Sequence, residues 1–151
     1  MKAPLPISLL IAGSVLAANV WLDHTSAPNG ILLTPVVITL ATGLVAYSRK
    51  QRWPAVKTLT VTGLVALHDL GIKLFGGGQH DAEGAGFISL LLIIGLVPAF
   101  SCLLLGIRQD KHPLGATWLA LALFPVLLLL HLFITSEVGM GHCINCGEFS
   151  H

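Results

Sequence analysis

The carboxyl terminus of the chain concentrates side chains that bind metal ions. Residues 141–151 read GHCINCGEFSH, in which Cys143 and Cys146 have the C-x-x-C spacing. A turn with this spacing can direct both sulfur atoms to one ion, and His142 and His151 can complete a tetrahedral zinc site. Thiolates combined with imidazoles also suit Cu(I). The tail therefore predicts a site for zinc or copper.

The same cysteine pair allows two other kinds of chemistry. In an oxidising compartment a C-x-x-C pair can close a disulfide, and it can also act as a redox-active dithiol. A redox role needs another thiol pair or a bound electron carrier, and the remaining cysteine, Cys102, lies in a separate apolar segment. Metal binding is therefore the favoured interpretation, with a disulfide and a redox pair as the alternatives.

A second set of candidate ligands lies in a glycine-rich loop. The sequence GGGQHDAEG contains His80 and Asp81, whose imidazole and carboxylate groups suit zinc and related ions. The glycines allow this loop to fold over the neighbouring helices, although they also serve simply to end a helix. We include His80 and Asp81 among the predicted metal ligands.

Three further candidates, His68, Asp69 and His131, fall inside apolar segments. A carboxylate in hydrocarbon is costly unless it is paired or reached by water, so Asp69 must have a partner. One interpretation is an ion pair with Lys73, four residues further along a helix. The other is a deeper metal site formed by His68, Asp69 and His131, for which both histidines must point into the protein and approach each other or a shared polar group.

The composition indicates that these residues belong to an integral membrane protein. Hydrophobic residues make up 54% of the chain and charged residues only 10%, against about 25% charged residues in soluble domains. Five apolar segments approach the roughly 20 residues that cross a bilayer. Short loops predict a compact antiparallel all-α bundle of five transmembrane helices over residues 1–140, followed by the tail, 141–151. The five segments are residues 5–22, 31–47, 56–75, 86–107 and 115–135.

The first apolar segment has a second interpretation. Its single lysine, its apolar stretch and the small residues Ala17 and Ala18 also fit a cleavable signal peptide. We expect the segment to be retained as the first membrane helix.

Positive charges predict the orientation of the bundle. Seven of the eight Lys and Arg residues fall at the amino terminus or near the second and fourth loops, and only Lys73 lies towards the other face. Positive charge marks the cytoplasmic side, so we expect the amino terminus inside and the tail outside, on the periplasmic face of a bacterial plasma membrane. Six of the seven histidines then lie in the outer half. The net charge of +1 gives no reason to expect a nucleic-acid partner.

Three functions agree with this pattern. The first is a small membrane protein that binds zinc or copper at its outer face, for capture, passage or delivery of the ion. The second is a membrane-embedded metal-dependent enzyme, in which a metal-bound water held by His68, His131 and a carboxylate attacks a lipid-soluble substrate. The third is an accessory subunit of a larger membrane complex, whose outer histidines and cysteines only stabilise loops or contact a partner.

The orientation can be tested with the native cysteines of the tail. In a Cys102→Ser background, a membrane-impermeant maleimide added to intact spheroplasts should label Cys143 and Cys146, because the tail is expected outside. Mass spectrometry of the tail peptide measures the labelling. Labelling that occurs only after lysis would place the tail in the cytoplasm and reverse every assignment of outer and inner residues.

Overall fold

Five helices account for almost all of the described chain. The structure, a computed structural model, describes residues 2–49, 51, 53–79, 81–141 and 143–144. All five helices are long and apolar enough to cross a membrane, and each coincides with one predicted segment, so the prediction of five apolar helices is confirmed. They are α1 (Leu5–Ser26), α2 (Asn29–Ala46), α3 (Pro54–Phe75), α4 (Ala82–Gln109) and α5 (Leu114–Ile134).

The starts of the helices follow from local sequence. Proline stands at or just before the first residue of α1, α3 and α5, where its missing N–H removes no helical hydrogen bond. The helix α4 begins instead after Asp81, whose side chain accepts a hydrogen bond from the Gly84 N–H at 2.8 Å. Prolines 35, 98 and 125 lie inside helices, as membrane helices tolerate.

The helices pack around an apolar core through close backbone approaches. α2 contacts both α1 and α4, and α3 contacts all four other helices. α4 approaches α2 at two glycines, where a β-carbon on Gly95 would lie 2.8 Å from Pro35 Cα, and one on Gly106 would lie 2.5 Å from Ala46 O. The outward-facing side chains are largely apolar, and Phe133, for example, is 81% exposed. A surface of this kind suits hydrocarbon surroundings.

The two ends of the bundle differ in how the chain covers them. We call the end where α1, α3 and α5 finish the tail end, and the end where they begin the opposite end. At the tail end, strand β1 (Gly78–Gln79) pairs antiparallel with strand β2 (Cys143–Ile144), with Gly78 opposite Ile144 and Gln79 opposite Cys143. This two-residue pairing is the one departure from the all-α prediction in the described part of the chain. It joins the loop between α3 and α4 to the tail.

The close approach of α2 and α4 predicts the effect of adding one methyl group. In Gly106→Ala the new β-carbon meets the Ala46 carbonyl, so the two helices must move apart. We expect a loss of about 1–3 kcal/mol of stability, measured as a lower thermal unfolding temperature in detergent. Gly63→Ala is the matched control, since its β-carbon meets nothing within 4 Å, and we expect it to be neutral or slightly stabilising. Equal unfolding temperatures for the two variants would contradict this helix packing.

Candidate functional site

A buried polar cluster centred on Asp69 lies at the tail end of the bundle. Asp69 Oδ2 accepts hydrogen bonds from Lys73 Nζ and His131 Nε2, both at 2.9 Å, and from Thr135 Oγ1 at 3.3 Å. Lys73 Nζ also donates to the Thr135 backbone oxygen at 3.1 Å. We call these four residues the Asp69 cluster. The predicted Asp69–Lys73 ion pair is therefore present, with His131 and Thr135 as additional partners.

Helix geometry brings the four residues of the Asp69 cluster together. Asp69 and Lys73 lie four residues apart on α3, and His131 and Thr135 lie four residues apart at the end of α5, so each pair shares one helix face. Because α5 ends at Ile134, the Thr135 carbonyl lies at a helix carboxyl terminus, which favours a cation such as the Lys73 ammonium. The cluster thus neutralises two charges that are almost completely buried.

His68 points into the bundle but belongs to a different polar contact. Its Nε2 lies 2.9 Å from Asn19 Nδ2 on α1, and the same Asn19 nitrogen donates to the Gly30 carbonyl at 3.0 Å. Asn19 thereby links α3 to the beginning of α2. Asn19 was not among the predicted site residues. An asparagine inside an apolar segment nevertheless indicates a buried hydrogen bond, because such a side chain needs a partner.

The ends of three helices are tied together by Asp23 and His24. Asp23 Oδ1 accepts a hydrogen bond from the Ile31 N–H in the first turn of α2, and the Asp23 carbonyl accepts one from the Gly77 N–H. His24 Nδ1 donates to the Phe75 carbonyl at 2.8 Å. These bonds satisfy backbone groups left open at helix ends, and they fix the mouth of the bundle beneath the loop that carries β1.

The predicted metal ligands are only partly brought together. Asp69 contacts His131, whereas His68 contacts Asn19 and Asp81 caps α4. Within the described ranges, no group of three or more His, Cys, Asp or Glu side chains is arranged to hold a metal ion. The deeper metal site therefore stays a prediction. Four of the remaining candidates lie outside the described residues: His80, His142, Cys146 and His151. Cys143 is described only through the backbone of β2.

The chain that follows α5 passes directly over the end of α3. A β-carbon on Gly139 would collide with the Lys73 carbonyl, and the positive φ of +83° at this position also favours glycine. The chain then reaches β2, where Cys143 pairs with Gln79. Gly139 thus lies above the Asp69 cluster, and Cys143 and Ile144 lie beside Gly78 and Gln79 of the glycine-rich loop.

A second buried ion network lies at the opposite end and was not predicted. Lys57 Nζ donates to the Ala46 and Ser48 carbonyls and to Asp110 Oδ2 at 2.7 Å, while Lys2 donates to Asp110 Oδ1 at 3.2 Å. Burial by itself raises the pKa of the Asp110 carboxyl, but the hydrogen bonds and charges of Lys57 and Lys2 outweigh it and hold that pKa below its usual value. Lys57 was expected only as one of the positive charges that mark the cytoplasmic side.

Comparisons with protein-family models, with curated proteins and with solved structures found no significant match.

The Asp69 cluster predicts a large effect of removing one charge. In Asp69→Asn, Lys73 stays buried without its carboxylate partner, so we expect a loss of about 3–5 kcal/mol of stability. Thermal unfolding in detergent measures the difference. Glu137→Gln is the matched control, because it removes an exposed carboxylate close to the same end and should change the stability by less than about 0.5 kcal/mol. If both variants unfold together, the buried ion pair is absent.

Proposed function

We propose that this chain is an integral membrane protein that binds one zinc or copper ion at its outer face, where it captures the ion and delivers it. The observation that supports this most directly is the pairing of β1 with β2. It joins the two loop segments in which the sequence concentrates metal-ligand residue types. Each segment alone gives weaker support. The loop contains no cysteine, and the two cysteines of the tail could instead form a disulfide or a redox-active pair.

The proposed placement in the membrane follows from the surface and the charges. Five apolar helices expose large aliphatic and aromatic side chains over their outer faces. The uneven distribution of lysine and arginine then favours the opposite end as the cytoplasmic side and the tail end as the periplasmic side of a bacterial plasma membrane. In that orientation the tail meets metal ions from outside the cell.

The proposed ligands come from residues that adjoin the strand pairing in the sequence. His80 follows Gln79 directly, and His142 precedes Cys143 directly. Cys143 and Cys146 supply two thiolates, and two histidines from the tail or the loop complete the four ligands of a tetrahedral zinc site. Drawing ligands from both segments lets the ion fasten the tail to the loop.

Capture and delivery fit the bundle better than passage of the ion through it. The Asp69 cluster already uses its charges on one another, and the core between the two ends contains Val61, Leu64 and Val65. Among the described residues, this layer carries buried threonines but no buried charged side chain, and moving a cation into apolar surroundings without such ligands is costly. In this proposal the Asp69 cluster is a structural base beneath the tail.

Metal titration tests the proposal. Purified protein in detergent should bind one equivalent of Zn²⁺ near neutral pH and release it on acidification, because protons compete for thiolate and imidazole ligands. The double variant Cys143→Ser/Cys146→Ser should lose this binding, and His80→Ala should weaken it if the loop contributes. Elemental analysis and a competing zinc indicator measure stoichiometry and affinity.

The matched control for the titration is Cys102→Ser, which removes the one cysteine outside the tail. It should bind Zn²⁺ as the unaltered protein does. Full zinc stoichiometry in the double serine variant would overturn the proposal, as would a tail disulfide that persists in protein purified without reductant and excludes the ion.

A further inference from the structure

A groove of about 470 Å³ runs along the side of the bundle between α1 and α3. Gly13 and Ala17 of α1 form part of one wall, and Leu64 and Leu67 of α3 form part of the other. Gly13 has no side chain and Ala17 has only a methyl group, so the space between α1 and α3 stays open. The lining is apolar except for two histidines, of which His68 is buried and His24 lies at the tail end. The volume falls within the range of sites that take small lipid-soluble molecules.

The hydrogen bonds of His68 determine which of its ring nitrogens carries the proton. Asn19 Nδ2 donates to the Gly30 carbonyl, which can only accept, and this fixes the orientation of the Asn19 amide. The same nitrogen faces His68 Nε2, so Nε2 accepts the second amide hydrogen. The imidazole is then neutral, with its proton on Nδ1.

The Nδ1–H group of His68 is left without a hydrogen-bond partner. The side chain is 1% exposed, and Nδ1 contacts no acceptor among the described residues. A buried donor without an acceptor is unfavourable, because it has lost its hydrogen bond to water and gained none in return. Because the unsatisfied group is a donor, the chemistry it calls for is an acceptor oxygen, such as a carbonyl, and not a second donor or a metal ion.

The depth of His68 selects among molecules that carry a carbonyl. His68 lies seven residues before Phe75, the last residue of α3, which places it roughly 10 Å below the end of the helix. A phospholipid has ester carbonyls, but bringing one to this depth would draw its charged head group into hydrocarbon. An uncharged ring carbonyl on an apolar tail has no such penalty. Trp21, which lines the groove at a similar depth on α1, offers an aromatic face for a planar ring.

We propose that the groove between α1 and α3 binds a lipid-soluble quinone, with His68 Nδ1 donating to one ring carbonyl and the tail lying along Gly13 and Ala17. The site uses none of the ligands in the proposed metal site of the tail. Quinone binding in the groove can therefore be tested independently of metal binding by the tail. The quinone is bound here as a ligand, and its recognition adds one hydrogen bond from His68 Nδ1–H while Nε2 keeps its contact with Asn19.

A photoreactive azido-quinone with an isoprenoid tail tests the site on the full chain in lipid nanodiscs. We expect it to label peptides of α1 and α3, and unlabelled quinone to compete. His68→Leu removes the donor and should weaken binding roughly tenfold. Gly13→Phe should weaken it at least tenfold, since Gly13 lines the groove and its β-carbon position has no protein atom within 4 Å, so the added ring occupies the space of the ligand.

Gly63→Phe is the matched control, because Gly63 also has open space within 4 Å but does not line the groove. It should bind the probe as the unaltered protein does. Equal labelling of the Gly13→Phe and Gly63→Phe proteins would overturn the proposal. So would labelling of the groove by a photoreactive phospholipid that quinone fails to displace, because the groove would then hold bilayer lipid.

Discussion

The arrangement of this protein depends on one constraint, which is that a charged or hydrogen-bonding side chain in apolar surroundings needs a partner. α3 carries four ionisable side chains, Lys57, His68, Asp69 and Lys73, and all four are buried. Their partners lie on different parts of the chain: the end of α2 and Asp110 for Lys57, Asn19 of α1 for His68, and the end of α5 for Asp69 and Lys73. α3 therefore sets the positions of its neighbours by polar contacts as well as by packing.

The apolar character of the five helices was readable from the sequence, and so was part of the Asp69 cluster. A run of about 20 apolar residues between polar loops predicts a membrane helix without any knowledge of neighbours. Asp69 and Lys73 stand four residues apart on one helix, so their ion pair is also a local feature. The contact between Asp69 and His131 links two helices. Both residues lie towards the same end of their helices, but that fact alone does not say that α3 and α5 are adjacent.

The contacts that could not be predicted are those that depend on which way each helix face points and on which helices are adjacent. The distribution of positive charges in the sequence predicts that Lys57 lies at the opposite end of the bundle. It does not show that the side chain turns inward to reach Asp110, more than fifty residues away in sequence. Asn19 and His68 lie on different helices, and no spacing rule relates them. The strand pairing depends on the path of the chain after α5, which Gly139 determines through its contact with α3.

Two adjacent residues of α3 also show that stability is not the only requirement on this bundle. Among the described residues, neither His68 Nδ1 nor Asp69 Oδ1 has a hydrogen-bond partner, although both atoms are buried. A core selected for stability alone would replace such groups with apolar side chains, because unsatisfied polar atoms are expensive in hydrocarbon. Departures of this kind are expected at functional positions. His68 lines the groove in which the quinone is proposed to bind, and Asp69 is paired with Lys73, whose carbonyl lies directly beneath Gly139.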